Sequence, residues 1–314
     1  MRLIDEGPLL ITGASGLLGS QLTETLAARF PDLYLLTPTR SELDLEDIDA
    51  VRKYWTCHRP NGVFHLAAFV RGLGGNLSAG QAAFEVNARI NHNVLMAGIE
   101  FPPEFFFAAG TVALYGHPYP RLPLTEADAF VGEPHSGELF YSLAKRAMLP
   151  YLQAMEVAGG TDTTLGLFTN IYGPRDRFDE VSGHVVPSLV KRFVEAEQLG
   201  RDEVVVWGRP DTTRDFLYVR DAIDALLAVI AAKLKICNIA SGRERQMGEL
   251  VDSLRRVTGY RGSVRWDADK PTGIPRRCVD ISHLSKLDAD ANFVTLEDGL
   301  AETVRWYREH NGAS

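Results

Sequence analysis

The sequence predicts an α/β fold: a doubly wound parallel sheet, with a smaller C-terminal domain that forms a lid over the substrate. Three observations predict it. A short apolar run, Pro8-Leu9-Leu10-Ile11-Thr12, leads directly into glycines spaced three apart and then into a helical pattern. Further short apolar runs alternate with helical stretches, the order that builds a parallel sheet with helices on both faces. Tyr141 and Lys145 open an apolar helical run four residues apart, so they share one helix face, one turn apart.

Composition sets the broad class. The 314 residues, 45% hydrophobic and 24% charged, are enough for one large domain or two smaller ones. A formal net charge of -8 argues against nucleic-acid binding through a basic surface. Cys57, Cys237 and Cys278 lie far apart with no metal-type spacing, so no disulfide framework and no metal centre is expected. Residues 1–8 carry no signal-peptide pattern, and no apolar run approaches the roughly 20 residues that span a bilayer. The expectation is a cytoplasmic protein without a membrane partner.

Taken in order, the first apolar run suits a buried parallel strand. Gly13, Gly16 and Gly19 follow it, with Ser15 and Leu17 in the same loop. Glycines at this spacing let the backbone approach a pyrophosphate that rests on the helix N-terminus, the mark of a Rossmann-type dinucleotide site. A second strand, Leu33-Tyr34-Leu35-Leu36, ends before Arg40. An acidic residue there would hold the ribose hydroxyls of NAD, whereas Arg40 suits the extra phosphate of NADP; NADP(H) is expected ahead of NAD(H). Asp44, beside Leu45, is placed to hydrogen-bond the adenine.

The strand Val63-Phe64-His65 exits through Leu66, Ala67 and Ala68, small enough to let the cofactor pass. His65 is either a cofactor contact or a satisfied structural histidine. Residues 84–96 read as a long helix, with Asn87 facing the sheet or the cofactor. The run Glu104-Phe105-Phe106-Phe107-Ala108-Ala109 ends at Thr111, on the strand end where open α/β sheets place their sites. A hydroxyl there can hydrogen-bond a substrate carbonyl oxygen. In the Tyr141–Lys145 pair, an ammonium near the phenol is expected to lower the Tyr pKa from about 10, giving a proton donor or acceptor.

A strand at 165–170 then enters an insertion, 173–213, with a helix at 185–199 and the strand Val204-Val205-Val206-Trp207. The chain is expected to rejoin the main architecture at Arg214, with a helix at 221–232 and the strand Cys237-Asn238-Ile239-Ala240. Residues 1–172 plus 214–241 are thus expected to form the cofactor domain, and 173–213 plus 242–314 the lid.

At these separations the glycine loop, Thr111 and Tyr141-x-x-x-Lys145 resemble an extended short-chain dehydrogenase/reductase. Within that superfamily the chain is similar to the GDP-L-fucose synthases, the GDP-4-keto-6-deoxy-mannose 3,5-epimerase/4-reductases. The similarity is carried by Arg40-Ser41-Glu42-Leu43-Asp44-Leu45, Asn170-Ile171-Tyr172-Gly173-Pro174, Gly183-His184-Val185-Val186-Pro187, Val206-Trp207-Gly208, Arg214-Asp215-Phe216-Leu217 and the segment 270–276. It implies that Thr111, Tyr141 and Lys145 form the reductive triad and that His184 is an acid/base of epimerisation. It further implies that Asn170, His184, Arg192, Trp207 and Arg214 hold the nucleotide diphosphate and sugar, with Arg277 as another basic contact. NADPH and a homodimer built on a helix bundle also follow from it.

Two departures stand out. Ala113 occupies the position of the family's catalytic Cys, and Ala exchanges no proton. Ala14-Ser15 replaces a His-Arg type pair, which leaves Arg40 to carry the NADP preference. The expected activity is NADPH-dependent reduction of a nucleotide-linked 4-keto-6-deoxy sugar. The rivals are a full epimerase/reductase, a redox-neutral 4-epimerase and, from another class, a cofactor-sensing regulator that has lost turnover. A 4,6-dehydratase is disfavoured because Val112-Ala113 supply no acid.

Overall fold

The computed structural model describes residues 7–70, 73–179, 183–270 and 273–311. Residues 1–6, most of the stretch read for a signal peptide, and Pro271-Thr272 of the 270–276 motif lie outside the described residues.

The first half alternates as expected: β1 (Leu9–Thr12), α1 (Leu17–Arg29), β2 (Leu35–Leu36), α2 (Ile48–His58), β3 (Gly62–His65), α3 (Leu73–Glu100) and β4 (Phe105–Thr111). The Tyr141–Lys145 stretch forms α4 (Leu139–Arg146), followed by α5 (Met148–Gly159), β5 (Asp162–Phe168) and β6 (Asn170–Tyr172). Next come α6 (Val185–Gln198), β7 (Glu203–Trp207), β8 (Thr213–Tyr218), α7 (Val219–Ala231) and β9 (Ile236–Ile239). The chain closes with β10 (Glu244–Gln246), α8 (Met247–Thr258), β11 (Ser263–Asp267), α9 (Ser282–Ser285) and α10 (Leu296–Asn311).

The main sheet has six strands in the order β2-β1-β3-β4-β5-β9, every pair parallel. Its residues alternate between two apolar layers, as a strand buried on both faces requires. Leu10, Val63, Phe106 and Ala108 point into the layer closed by Trp55, Val94 and Met155 of α2, α3 and α5. Leu9, Ile11, Phe64, Phe105 and Phe107 point into the layer closed by Leu22 of α1 and Leu226 of α7.

A third apolar cluster is separate in composition, built from Val190 and Phe193 of α6, Leu250 and Leu254 of α8, and Leu300 and Val304 of α10. The two smaller sheets belong here, β10-β8-β6 and β11-β7. The chain therefore does not rejoin the main sheet at Arg214. β8 pairs with β6 in parallel and β10 antiparallel, and α7 makes the return. Alternation explains this double allegiance: Phe216 and Tyr218 pack into the lid cluster, while Leu217 between them packs into the main one. Within 242–314, Leu284 of α9 likewise packs on the main sheet. No helix among the described residues is long and apolar enough to cross a membrane.

Candidate active site

The strand order reverses direction between β1 and β3, the switch point where such sheets bind ligands at their carboxyl ends. The glycine loop crosses this point. Gly13 has φ +74, and a Cβ on it would lie 2.8 Å from the Ala67 backbone. A Cβ on Gly19 would lie 2.1 Å from the Gly13 carbonyl oxygen. Gly16 is the N-cap of α1 with no side-chain cap, and Ser15 and Gly16 are exposed. Uncapped N–H groups at a helix N-terminus with no side chain in front of them fit a dinucleotide pyrophosphate.

On the rim, the Arg40 side chain is 77% exposed and pairs with Glu46 at 2.8 Å. Asp44 is exposed and accepts from the Glu46 amide at 3.0 Å, while the Leu45 carbonyl accepts from Asn93. Leu66 donates its amide to Thr12, which fixes the exit of β3 against β1.

Asn87 differs from a cofactor contact. Its amide donates to the Phe69 and Ala83 carbonyls, both at 2.8 Å, and its oxygen accepts from the Phe69 amide. With its hydrogen bonds spent on the chain after β3, it shapes that loop from behind. His65 resolves to the structural option. Its Nδ1 meets Thr12 Oγ1 at 2.9 Å and its Nε2 meets Asn91 Oδ1 at 3.1 Å. Asn91 Nδ2 donates to the Ala144 carbonyl, so Oδ1 faces the imidazole and Nε2 must carry the proton. Nδ1 then accepts from the Thr12 hydroxyl, whose oxygen accepts from the Ala67 amide. Burial foremost, with Lys145 nearby, pushes the imidazole pKa down to about 3. A neutral relay thus joins the glycine-loop strand to the helix carrying Tyr141 and Lys145.

Thr111 ends β4, half-buried, and its oxygen accepts from the Ala113 amide at 3.2 Å. Two hydrogen bonds fasten α4 to this strand end: Ser142 donates to the Ala113 carbonyl at 2.9 Å, and Lys145 Nζ to the Ala109 carbonyl at 2.7 Å. Lys145 is 1% exposed, and burial lowers its pKa to about 8. The expected lowering of the Tyr141 pKa is overturned in this structure. Burial, and secondarily the Glu138 carboxylate, push the phenol up. The Lys145 ammonium lies 6.0 Å from the ring centroid and gives a hydrogen bond to a backbone carbonyl, so it does not offset them.

The lid residues come together in part. Trp207, 48% exposed, is no core residue; Arg192 lies 6.0 Å and Lys270 5.5 Å from its ring centroid. Arg192 also donates to the Val205 carbonyl. Arg214 donates to the Thr213 and Ile274 carbonyls, and Asn170 to the Asp215 carbonyl. His184 is exposed at the N-terminus of α6 and makes no side-chain cap. Arg277 departs from an open cation: it donates to Tyr119 and is ion-paired with Glu138.

Sequence reasoning missed Glu138, Asp176 and Asp215. Asp176 keeps a buried oxygen without a hydrogen bond, and its carboxyl is pushed up by burial and drawn back by His184. Asp215 accepts from the Ser241 amide and hydroxyl, and burial pushes its carboxyl up. An acid two residues past a turn proline and one inside Arg214-Asp215-Phe216 were the available signals. Away from the site, one metal-ligand grouping occurs among the described residues. Glu126, Cys237 and His283 lie within 4.8 Å of one another, though Glu126 already accepts from the Asn238 amide.

The sequence profile of the "NAD dependent epimerase/dehydratase family" matches residues 9–240. GDP-L-fucose synthase 1 of Arabidopsis thaliana is 33% identical over 302 residues, 95% of this chain and 92% of that one. The GDP-L-fucose synthase of Escherichia coli (strain K12) is 30% identical over 316 residues, covering 96% and 97%. The crystal structure of a GDP-L-fucose synthetase from Naegleria fowleri bound to NADP superposes with a TM-score of 0.88 at 25% identity, covering 98% and 95%. The cradle at the switch point, the stapled Tyr–Lys helix and these likenesses agree: the chain belongs to the NAD dependent epimerase/dehydratase family.

Proposed function

We propose that this protein is an NADPH-dependent 4-ketoreductase of a nucleotide-linked 4-keto-6-deoxy sugar. The observation that carries this reading is the docking of α4 on β4, which sets Tyr141 and Lys145 against the strand end bearing Thr111. The GDP-L-fucose synthases that resemble the chain along nearly its full length support a GDP-linked sugar, and the NADP-bound relative supports the cofactor.

Gly13, Ser15, Gly16, Leu17 and Gly19 would hold the pyrophosphate, and Arg40 the extra phosphate. Bound there, NADPH supplies the hydride. Thr111 hydrogen-bonds the ketone oxygen, and Tyr141 gives that oxygen its proton as negative charge develops. The phenol, pushed up from its ordinary value, keeps its proton at neutral pH, so the donor is ready before the reaction starts. Lys145, still charged there, would hold the cofactor ribose, the other role the family resemblance implies for it. Trp207 is an exposed ring with two cations near it, and Arg192, Lys270 and Arg214 suit a diphosphate.

Epimerisation by the full family reaction is the second reading, favoured by the charge interaction of His184 with Asp176, a carboxylate with one buried oxygen. Ala113 weighs against it. The proposal includes a cofactor unit and a lid unit that divide near residues 172 and 241 and share β8, with α7 making the return to the cofactor unit, and a homodimer, which light scattering checks.

The direct test is NADPH oxidation with GDP-, dTDP-, UDP- and CDP-linked 4-keto-6-deoxy sugars, run in deuterated water with products read by NMR. Oxidation with unchanged configuration at C3 and C5 is expected. Inversion at these carbons would establish the epimerase/reductase, and no oxidation with any substrate would sink the reductase.

A further inference from the structure

Three side chains from three segments meet at the head of the helix that carries Tyr141: Tyr119 after β4, Glu138 just before α4 and Arg277 ahead of α9. Arg277 donates Nε to the Tyr119 hydroxyl at 2.7 Å and a terminal nitrogen to Glu138 at 2.5 Å. Its second terminal nitrogen reaches the other Glu138 oxygen at 3.5 Å. The two side chains are 13% and 25% exposed. Burial alone would push the guanidinium pKa down, but Glu138 and Tyr119 outweigh it and hold Arg277 charged. Glu138 reaches further, opposing ionisation of Tyr141 and supporting the charge on Arg214.

The cation that the family resemblance offers to the substrate is therefore already matched by a carboxylate. An ionised carboxylate has about four lone-pair sites, and Arg277 takes two. What the pair leaves over is acceptor capacity without net positive charge. Sugar hydroxyls satisfy such a surface by donating to it, whereas an added anion meets Glu138 at close range in a partly dry site.

We infer that Glu138 is a specificity-determining residue: paired with Arg277, it makes a neutral arm beside Tyr141 that takes the hydroxyl groups of an uncharged hexose and rejects a sugar bearing an acid there. The inference rests on the nucleotide-sugar reading but not on turnover.

Calorimetry with NADP+ present tests it, using GDP, GDP-mannose and GDP-mannuronate as probes. The intact protein should bind GDP-mannose tighter than GDP, and tighter than GDP-mannuronate, each by about tenfold. In Glu138→Gln both preferences should shrink to within about twofold, with affinity for GDP itself retained. The double variant Glu138→Gln/Arg277→Gln removes the carboxylate together with its paired cation; should the single variant not fold, this one must lose the mannose preference. Preferences that survive in the variant, or an intact protein that binds the mannuronate as well as the mannose sugar, overturn the inference. Because these ligands bind without reacting, failed NADPH oxidation would sink the reductase reading while leaving this result standing.

Discussion

Tyr141 carries the reaction only if its hydroxyl is the proton source. Tyr141→Phe should therefore lower NADPH oxidation by about 100-fold or more, with NADPH binding by fluorescence titration retained. Lys145 sets the alkaline limit instead. Its pKa is about 8, while the phenol is pushed above its ordinary value. As pH rises through about 8 the ammonium is lost first, and kcat/KM should fall there while Tyr141 is still protonated. These roles differ in how readable they were. Tyr141, Lys145 and Thr111 announce themselves through spacing along the chain, because helix and strand geometry convert spacing into direction. What Lys145 touches was not readable: the Ala109 carbonyl lies 36 residues away. Glu138 was hidden for the same reason, since its partner Arg277 is 139 residues distant and an isolated Glu looks like a solvated one.

At the scale of elements, α4 is held by contacts that converge from β1, β3, α3 and β4. His65 is the hub of the relay. His65→Leu would strip the partners from buried Thr12 and Asn91, costing about 1–3 kcal/mol for each orphaned group in urea denaturation. The linkage sign is definite. His65 titrates at about 3 when folded, against 6.5 for the reference side chain, so the unfolded chain binds the extra proton first. This contribution to stability is complete above about 6.5 and is lost as pH falls from there toward 3. His65→Leu should flatten the stability profile across that window. The glycine loop makes a sharper claim. Gly13→Ala demands both a left-handed backbone and space already filled by Ala67, so it should abolish NADPH binding or the fold. The strand, glycine loop and helix were legible because three local signals agree. The pairing of β8 was not, because a short apolar run says nothing about which sheet will accept it.

For the whole molecule, the fold class was written in the alternation of apolar runs, and the likeness to GDP-L-fucose synthases in a series of co-linear motifs. The lid's internal architecture was far less visible, since β10, β11 and α8 are short and rich in charge. The shared strand has a further consequence. One face of β8 belongs to the lid's apolar interior and the other to the main body, with a single backbone serving both. A lid built this way has no hinge of its own on that side. Substrate closure must come from loops and side chains around a fixed wall, not from a swinging body. Limited proteolysis should accordingly release no stable lid fragment, and heat should melt both parts in a single step. A calorimetric trace with two separated transitions would contradict this. In evolutionary terms, such a lid can change its rim residue by residue but is not readily exchanged whole for another.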